Sequence, residues 1–444
     1  MNSPSARPIK AKDRDTIIQA LAAGVVPRVG LPHIQVGRAA EITALVRDIQ
    51  RIADGGAGVR FVIGEYGAGK TFFANLIRLI ALERKCVTVH ADLAPDRRIH
   101  ASGGQARALY SEAIRNMATR TKPDGGALGP VVERLVTDSV KEAADRKLPV
   151  ETVIDQKLAP IQDFVGGYDF AVVLKAYWRG SEHSDESLKT AALRWLRGEF
   201  STKTEARQAL GVRTIIDDDN VYDSLKALAC LTRLAGYAGL LVMFDEMVNI
   251  YKLQNSQARN QNFEEILRIV NDALQGNTAG IGFMMCGTPE FLLDTRRGLY
   301  SYEALQSRLS ENRFAANGWV DYSGPVIRLQ SLTPEDLLVL LSNIRNVFAG
   351  GDPAKFLVPD EALTAFMDHC NRRIGEAYFK TPRTTVRAFV QMLAVLEQNP
   401  GARWQDLIGG IQIAPDAPDI AATEEEAQPV GGEGDELTNL RIGS

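Results

Sequence analysis

Eight residues constrain this chain more than any others. Gly64-Glu65-Tyr66-Gly67-Ala68-Gly69-Lys70-Thr71 matches the pattern GxxxxGK[ST]. The run before it, Val59-Arg60-Phe61-Val62-Ile63, reads as a buried strand, and residues 70–83 read as a helix. Strand, glycine-rich loop and helix in that order make a phosphate cradle. The glycines let the backbone turn its N–H groups toward an anion, and the helix N-terminus adds partial positive charge. Gly64, Glu65, Tyr66, Gly67, Ala68, Gly69, Lys70 and Thr71 are therefore the expected nucleotide-binding loop. Lys70 would bridge the β- and γ-phosphates and Thr71 would hold Mg²⁺. The bland alternative is a Gly-rich structural turn.

A second constellation lies far downstream. Leu240-Leu241-Val242-Met243-Phe244 is an apolar strand pattern that runs into Asp245-Glu246. A carboxylate at such a strand end can hold the metal, and one beside it can orient an attacking water. Asp245 is assigned to Mg²⁺ and Glu246 to the catalytic base, against the alternative that two acids merely cap the next helix. A base in this position favours hydrolysis of ATP over passive binding. It also weighs against a small-molecule kinase, for which no acceptor-binding signature is visible.

The rest of the chain supplies the scaffold. Further short apolar runs occur at 86–91, 280–286 and 325–329, each separated by helical spacing, which is the grammar of a parallel α/β sheet with buried strands. Residues 1–35 form an N-terminal segment, and residues 36–332 the α/β core. Within that core, 101–235 is long, helical and polar. From Leu332 onward only helices are expected, beginning at Thr333-Pro334-Glu335-Asp336, where a hydroxyl cap precedes proline and two acids. The boundaries are thus 1–35, 36–332, 333–412 for a C-terminal helical lid, and 413–444 for a Pro/Gly/Glu-rich tail that reads as disordered.

Composition bounds the function. The 444 residues allow two or three structural units at ~150 residues each. The formal net charge is −4, but the tail after Ile413 holds eight acids against one base, so the remainder carries about +3. A nucleic-acid surface is permitted by that balance and not demanded. Apolar runs such as Leu240 to Phe244 fall far short of the ~18 residues of a membrane span. Met1 to Arg7 has no apolar stretch behind it, so no signal peptide is expected. Four scattered cysteines, at 86, 230, 286 and 370, form no CxxC pair and fit a reducing, cytoplasmic setting.

With these residues in view, the layout resembles AAA+ ATPases, in particular the origin-recognition/Cdc6-like branch. Val36-Gly37-Arg38 followed by Glu41 is similar to the box that lines the adenine pocket in that branch. Thr288, after the strand at 282–286, stands where such proteins carry the sensor-1 hydroxyl, and Thr381-Pro382-Arg383 resembles the sensor-2 motif, which puts Arg383 near the γ-phosphate. A narrower likeness covers nearly the whole chain. Gly24-Val25-Val26-Pro27, Ile215-Ile216-Asp217-Asp218-Asp219, Asp245 to Lys252 and Arg297 to Leu305 look like the BrxD-type ATP-binding proteins of bacterial phage-defence (BREX-type) systems.

The resemblance implies a P-loop AAA+ core with Val36, Gly37 and Arg38 on the adenine side. It also implies a homo-oligomer in which an arginine reaches a neighbour's site; Arg308 is favoured for that finger and Arg313 comes next. DNA, a helicase and other defence-system proteins are the implied partners, with no membrane association. Lys70 and Asp245 are 175 residues apart, more than a compact core of this kind needs, so 101–235 is read as a helical insertion. The expected activity is Mg²⁺-dependent ATP hydrolysis. The alternative is a non-hydrolytic, ATP-gated DNA-binding or scaffold switch.

Overall fold

The five apolar runs become five parallel strands: β1 Ala57–Gly64, β2 Val87–Asp92, β3 Leu240–Asp245, β4 Ile281–Gly287 and β5 Val326–Leu329. They form one sheet in the order β2-β3-β4-β1-β5. A computed structural model of the chain describes residues 9–315, 319–374 and 382–410. The expected tail at 413–444, the N-terminal Met1–Arg7 and Thr381 lie outside these.

Side chains alternate across each strand, so a sheet covered on both faces needs apolar residues at every position. Val59, Phe61, Ile63, Val242, Phe244, Phe283 and Met285 pack on one face. Val62, Leu241, Met243, Met284 and Cys286 pack on the other. The second face is covered by α2 (Ala39–Ala53) and α3 (Lys70–Glu83), through Leu45, Ile49, Ile52, Phe73 and Ile77. Arg60 is a charged exception on that face. Its Nε donates to Asp48 Oδ2 of α2 at 2.5 Å, and it also donates to the Gly324 carbonyl, with both side chains of the pair about 7% exposed.

Residues 101–235 hold seven helices: α4 Gln105–Arg115, α5 Leu128–Arg146, α6 Val150–Gln162, α7 Gly167–Glu182, α8 Glu186–Leu196, α9 Lys203–Leu210 and α10 Val221–Leu234. They do not stand apart from the sheet. Tyr110, Leu225 and Leu228 share a single apolar core with Phe61 and Phe283. The acidic run at 217–219 has a structural task here. Asp218 accepts N–H bonds from Gly104 (2.6 Å) and Arg107 (2.8 Å), so it caps the start of α4 from more than a hundred residues away. Asp217 forms a capping box with Asn220.

After β3 come α11 (Val248–Tyr251) and α12 (Ser256–Gln275), and after β4 come α13 (Pro289–Leu293) and α14 (Glu303–Leu309). The chain then leaves β5 for a helical unit: α15 Pro334–Phe348, α16 Asp360–Ile374, α17 Pro382–Gln398 and α18 Trp404–Gly410. Thr333 opens α15 with the capping box its sequence foretells, its hydroxyl accepting from the Asp336 N–H at 3.1 Å.

The helical unit's core also includes the N-terminal segment. Helix α1 (Ala11–Ala22) contributes Ile17, and Ile9 and Ile34 flank it, all packed with Leu337, Leu341, Phe366, Phe389 and Leu393. Arg14 strengthens the junction, donating to the Phe348 carbonyl at 2.6 Å and pairing with Glu397 at 2.9 Å. Among the described residues no helix is long and apolar enough to cross a membrane.

Candidate functional site

The glycine-rich loop follows β1, near the middle of the sheet, and opens into α3. Gly67 (φ +81°) and Gly69 (φ +80°) both adopt the left-handed conformation, which a side chain would strain. Their turns let successive backbone N–H groups converge on the start of α3. Lys70 folds over the loop, its Nζ donating to the carbonyls of Gly64 (2.9 Å) and Glu65 (3.0 Å).

Asp245 ends β3, which is separated from β1 by β4. It still meets the loop: Thr71 Oγ1 donates to Asp245 Oδ2 at 2.9 Å. The other carboxylate oxygen accepts the Glu246 N–H at 2.8 Å. Glu246 takes a left-handed backbone (φ +55°), uncommon for a residue with a side chain and a sign of a constrained site. Partial burial, and then the charge of Asp245, push the Glu246 carboxyl above its ordinary value.

Next to this pair stands Asp92, a carboxylate that sequence reading passed over. It ends β2 in register with Asp245, and its carboxyl is raised by burial and by the Asp245 charge. Thr288 follows β4, the strand between β1 and β3, and its Oγ1 is buried without a hydrogen-bond partner. An orphan hydroxyl at that strand end is a donor available to a ligand.

A cavity of about 500 Å³ opens over the loop. Tyr66, Gly67, Ala68, Gly69, Lys70, Thr71 and Glu246 line one side, and Val36, Arg38 and Arg383 another. Gly37 and Arg38 are consecutive left-handed residues (φ +62° and +61°). That bend sends the Arg38 guanidinium to the carbonyls of Ala68 (2.9 Å) and Gln330 (2.5 Å), so Arg38 braces the phosphate loop against the end of β5. Arg383 lines the cavity from the start of α17, and its Nε donates to the Gly24 carbonyl at 2.6 Å.

The remaining wall comes from Val25 and Pro27, within the family-like Gly24-Val25-Val26-Pro27, and from residues that no sequence motif marks: Leu21, Arg28, Phe72, Leu340 and Val386. They are mostly apolar, which suits the face of a base. Their signal in the sequence is weak, because apolar contact has no fixed spacing; the Gly/Pro-rich stretch after α1 is the visible trace. Arg308 stands apart. It lies on α14, where it donates to Asn271 Oδ1 and the Ala304 carbonyl. Arg313 is exposed.

The donor set suits a magnesium ion. A hydroxyl and a carboxylate are hard oxygen ligands, and Mg²⁺ usually takes one or two such side chains with the rest from phosphates and water. No group of three or more His, Cys, Asp or Glu side chains able to hold a metal unaided occurs among the described residues. The metal would come with its phosphates.

Compared with known proteins, residues 9–412 match the family model described as BREX system ATP-binding protein BrxC/D. No curated protein matches the chain.

Proposed function

The chain belongs to the BrxC/D family of BREX system ATP-binding proteins, and from that premise we propose that it is an ATP-hydrolysing AAA+ subunit of a phage-defence system. The observation that carries the reading is the joining of Thr71 to Asp245, with Lys70 and Glu246 on the lip of the same cavity. The strand order supports it, since β1, β4 and β3 lie side by side in parallel and so bring the phosphate loop, Thr288 and the acid pair to the same edge of the sheet.

In this reading the loop N–H groups and Lys70 bind the phosphates, and Val36 with the apolar wall receives the base. Mg²⁺, held by Thr71 and Asp245, would neutralise developing charge on the phosphate oxygens. Glu246, raised by its surroundings toward the range useful for proton transfer, orients and deprotonates the attacking water. Thr288 donates its free hydroxyl to the terminal phosphate. Arg383 connects the phosphate end of the ligand to the lid at 333–412, so hydrolysis is read as lid movement.

DNA, a helicase, a cytoplasmic setting and a homo-oligomer completed by Arg308 remain part of the proposal on family grounds. To serve a neighbouring subunit, Arg308 has to leave its bonds to Asn271 and Ala304; Arg313 needs no such release. The discriminating experiment is steady-state ATP turnover by the parent chain and by Glu246→Gln, with and without DNA. Glu246→Gln is expected to lose ~10²–10⁴-fold in turnover while keeping ATP affinity. A parent rate equal to buffer in both conditions would favour the non-hydrolytic, ATP-gated switch.

A further inference from the structure

The acid pair is followed almost at once by a helix too short to hold its own shape. Helix α11 (Val248–Tyr251) is a single turn, and one turn fixes several dihedrals for very few hydrogen bonds. Tertiary ties have to hold it. On its inner side Met247 and Ile250 are buried, and the Met247 N–H donates to the Cys286 carbonyl of β4 at 3.0 Å. On the side toward β2 a side chain makes the tie: Asn249 Nδ2 donates to the Leu93 carbonyl at 2.7 Å.

These bonds close a ring around Glu246. Leu93, directly after Asp92, donates its N–H to the Asp245 carbonyl at 3.0 Å. Its own carbonyl takes the Asn249 amide, and the Asn249 backbone N–H returns to the Glu246 carbonyl at 3.0 Å. The Glu246 N–H is bound to the Asp245 carboxylate. Glu246 is thus gripped at both backbone polar groups while left-handed (φ +55°), a conformation that a residue with a side chain leaves unless it is held.

The anchor for this grip is itself fixed. Farther along the same segment, the fully buried Asn262 of α12 accepts the His100 N–H on Oδ1 at 2.9 Å and donates from Nδ2 to the His100 carbonyl at 3.0 Å. Between the two asparagines, Ala94 and Arg97 exchange backbone hydrogen bonds. The Leu93 carbonyl is therefore a firm point of attachment rather than part of a loose loop.

We propose that Asn249 is a positioning residue for ATP hydrolysis: its side-chain amide, bound to Leu93, holds the turn that aims the Glu246 carboxylate into the nucleotide cavity. This role rests on the reading of Glu246 as the base. Among the described residues Asn249 is not one of those that line the cavity, so it acts through the backbone of Glu246 and leaves the nucleotide's own contacts alone. Without the bond the turn is free to relax toward a right-handed Glu246, which swings the Cα–Cβ bond and the carboxylate with it. A displacement of about 1 Å is enough to cost ~10²-fold in rate.

The test is turnover of labelled ATP, with ATP affinity, for the full chain as parent, Asn249→Ala, Glu246→Gln and the double variant, each checked for folding by thermal melting. Asn249→Ala is expected to lower kcat ~10–10²-fold and to leave KM and ATP affinity within about twofold. Asn249→Gln, which keeps the amide donor on a longer stem, recovers part of the loss. Asn249→Asp, which sets a carboxylate against the Leu93 carbonyl, recovers none, and this pair carries the comparison should Asn249→Ala fail to fold. Because Asn249 acts through Glu246, the double variant turns over no more slowly than Glu246→Gln alone. Losses that multiply in the double variant, a loss of affinity as large as that of kcat, or a parent-like rate in Asn249→Ala beside a slowed Glu246→Gln overturn the positioning role and leave the base assignment standing. A Glu246→Gln chain as fast as the parent overturns the base assignment, and the role of Asn249 with it.

Discussion

Thr71 and Asp245 lie 174 residues apart in the chain, yet their side chains share a hydrogen bond of 2.9 Å. The bond spans the gap between the helix that leaves β1 and the end of a strand two places away in the sheet. Asp245→Asn keeps the bond's shape and removes the charge. Mg²⁺-dependent ATP turnover is expected to fall on the order of 10²-fold, because a metal ion's charge contributes several kcal/mol to such a transition state. Nucleotide affinity measured in EDTA should change little. Equal losses with and without Mg²⁺ would count against Asp245 as a metal ligand.

Ile17 tests whether the N-terminal segment works as one body with the C-terminal helical unit. It is fully buried against residues of the C-terminal helical unit. Ile17→Ala is expected to cost ~2–5 kcal/mol, measured by denaturant unfolding. Because Gly24 to Arg28 lie between α1 and the cavity, ATP affinity should weaken as well. Loss of stability with unaltered affinity would mean that the two are not coupled.

Asp48 and Arg60 hold α2 to β1. Asp48→Ala leaves a buried guanidinium with only the Gly324 carbonyl, and the expected loss is ~3–5 kcal/mol. Replacing both, as Asp48→Leu with Arg60→Met, should recover most of it. A double variant no better than Asp48→Ala would point to the hydrogen bond to Gly324 instead.

His90 predicts a pH dependence of stability. Its imidazole is lowered from 6.5 to about 4 in the fold, so between those values the unfolded chain binds the extra proton. Stability therefore rises with pH through that window and is lost as pH falls from about 6.5 toward 4, by on the order of 3 kcal/mol from this group. His90→Asn is expected to flatten that part of the profile. An identical slope in the variant would assign the acid sensitivity to other groups.

Cysteine burial gives a simple example of what was readable early. Cys86 and Cys286 lie in strand-like apolar runs and are buried in the structure, with both thiols pushed upward by burial. Local pattern of this kind also located all five strands, the loop at 64–71 and the capped start of α15. Each depends on residues within a few positions of one another: an apolar alternation, two glycines at left-handed turns, a threonine three residues before an aspartate.

Sequence by itself thus determined the strands, the glycine-rich loop and the start of α15, and marked 101–235 as helical without its separate helices. Tertiary structure decided the rest. It put the helices at 101–235 into the sheet's own core, gave Asp218 to the start of α4, joined α1 to the C-terminal helical unit, and built the apolar wall of the cavity from Leu21, Pro27, Phe72 and Leu340. The physical reason is common to all four. Apolar contact and charge–dipole pairing act between surfaces that meet only after the chain has folded back, and nothing in their local spacing records which surface each will meet.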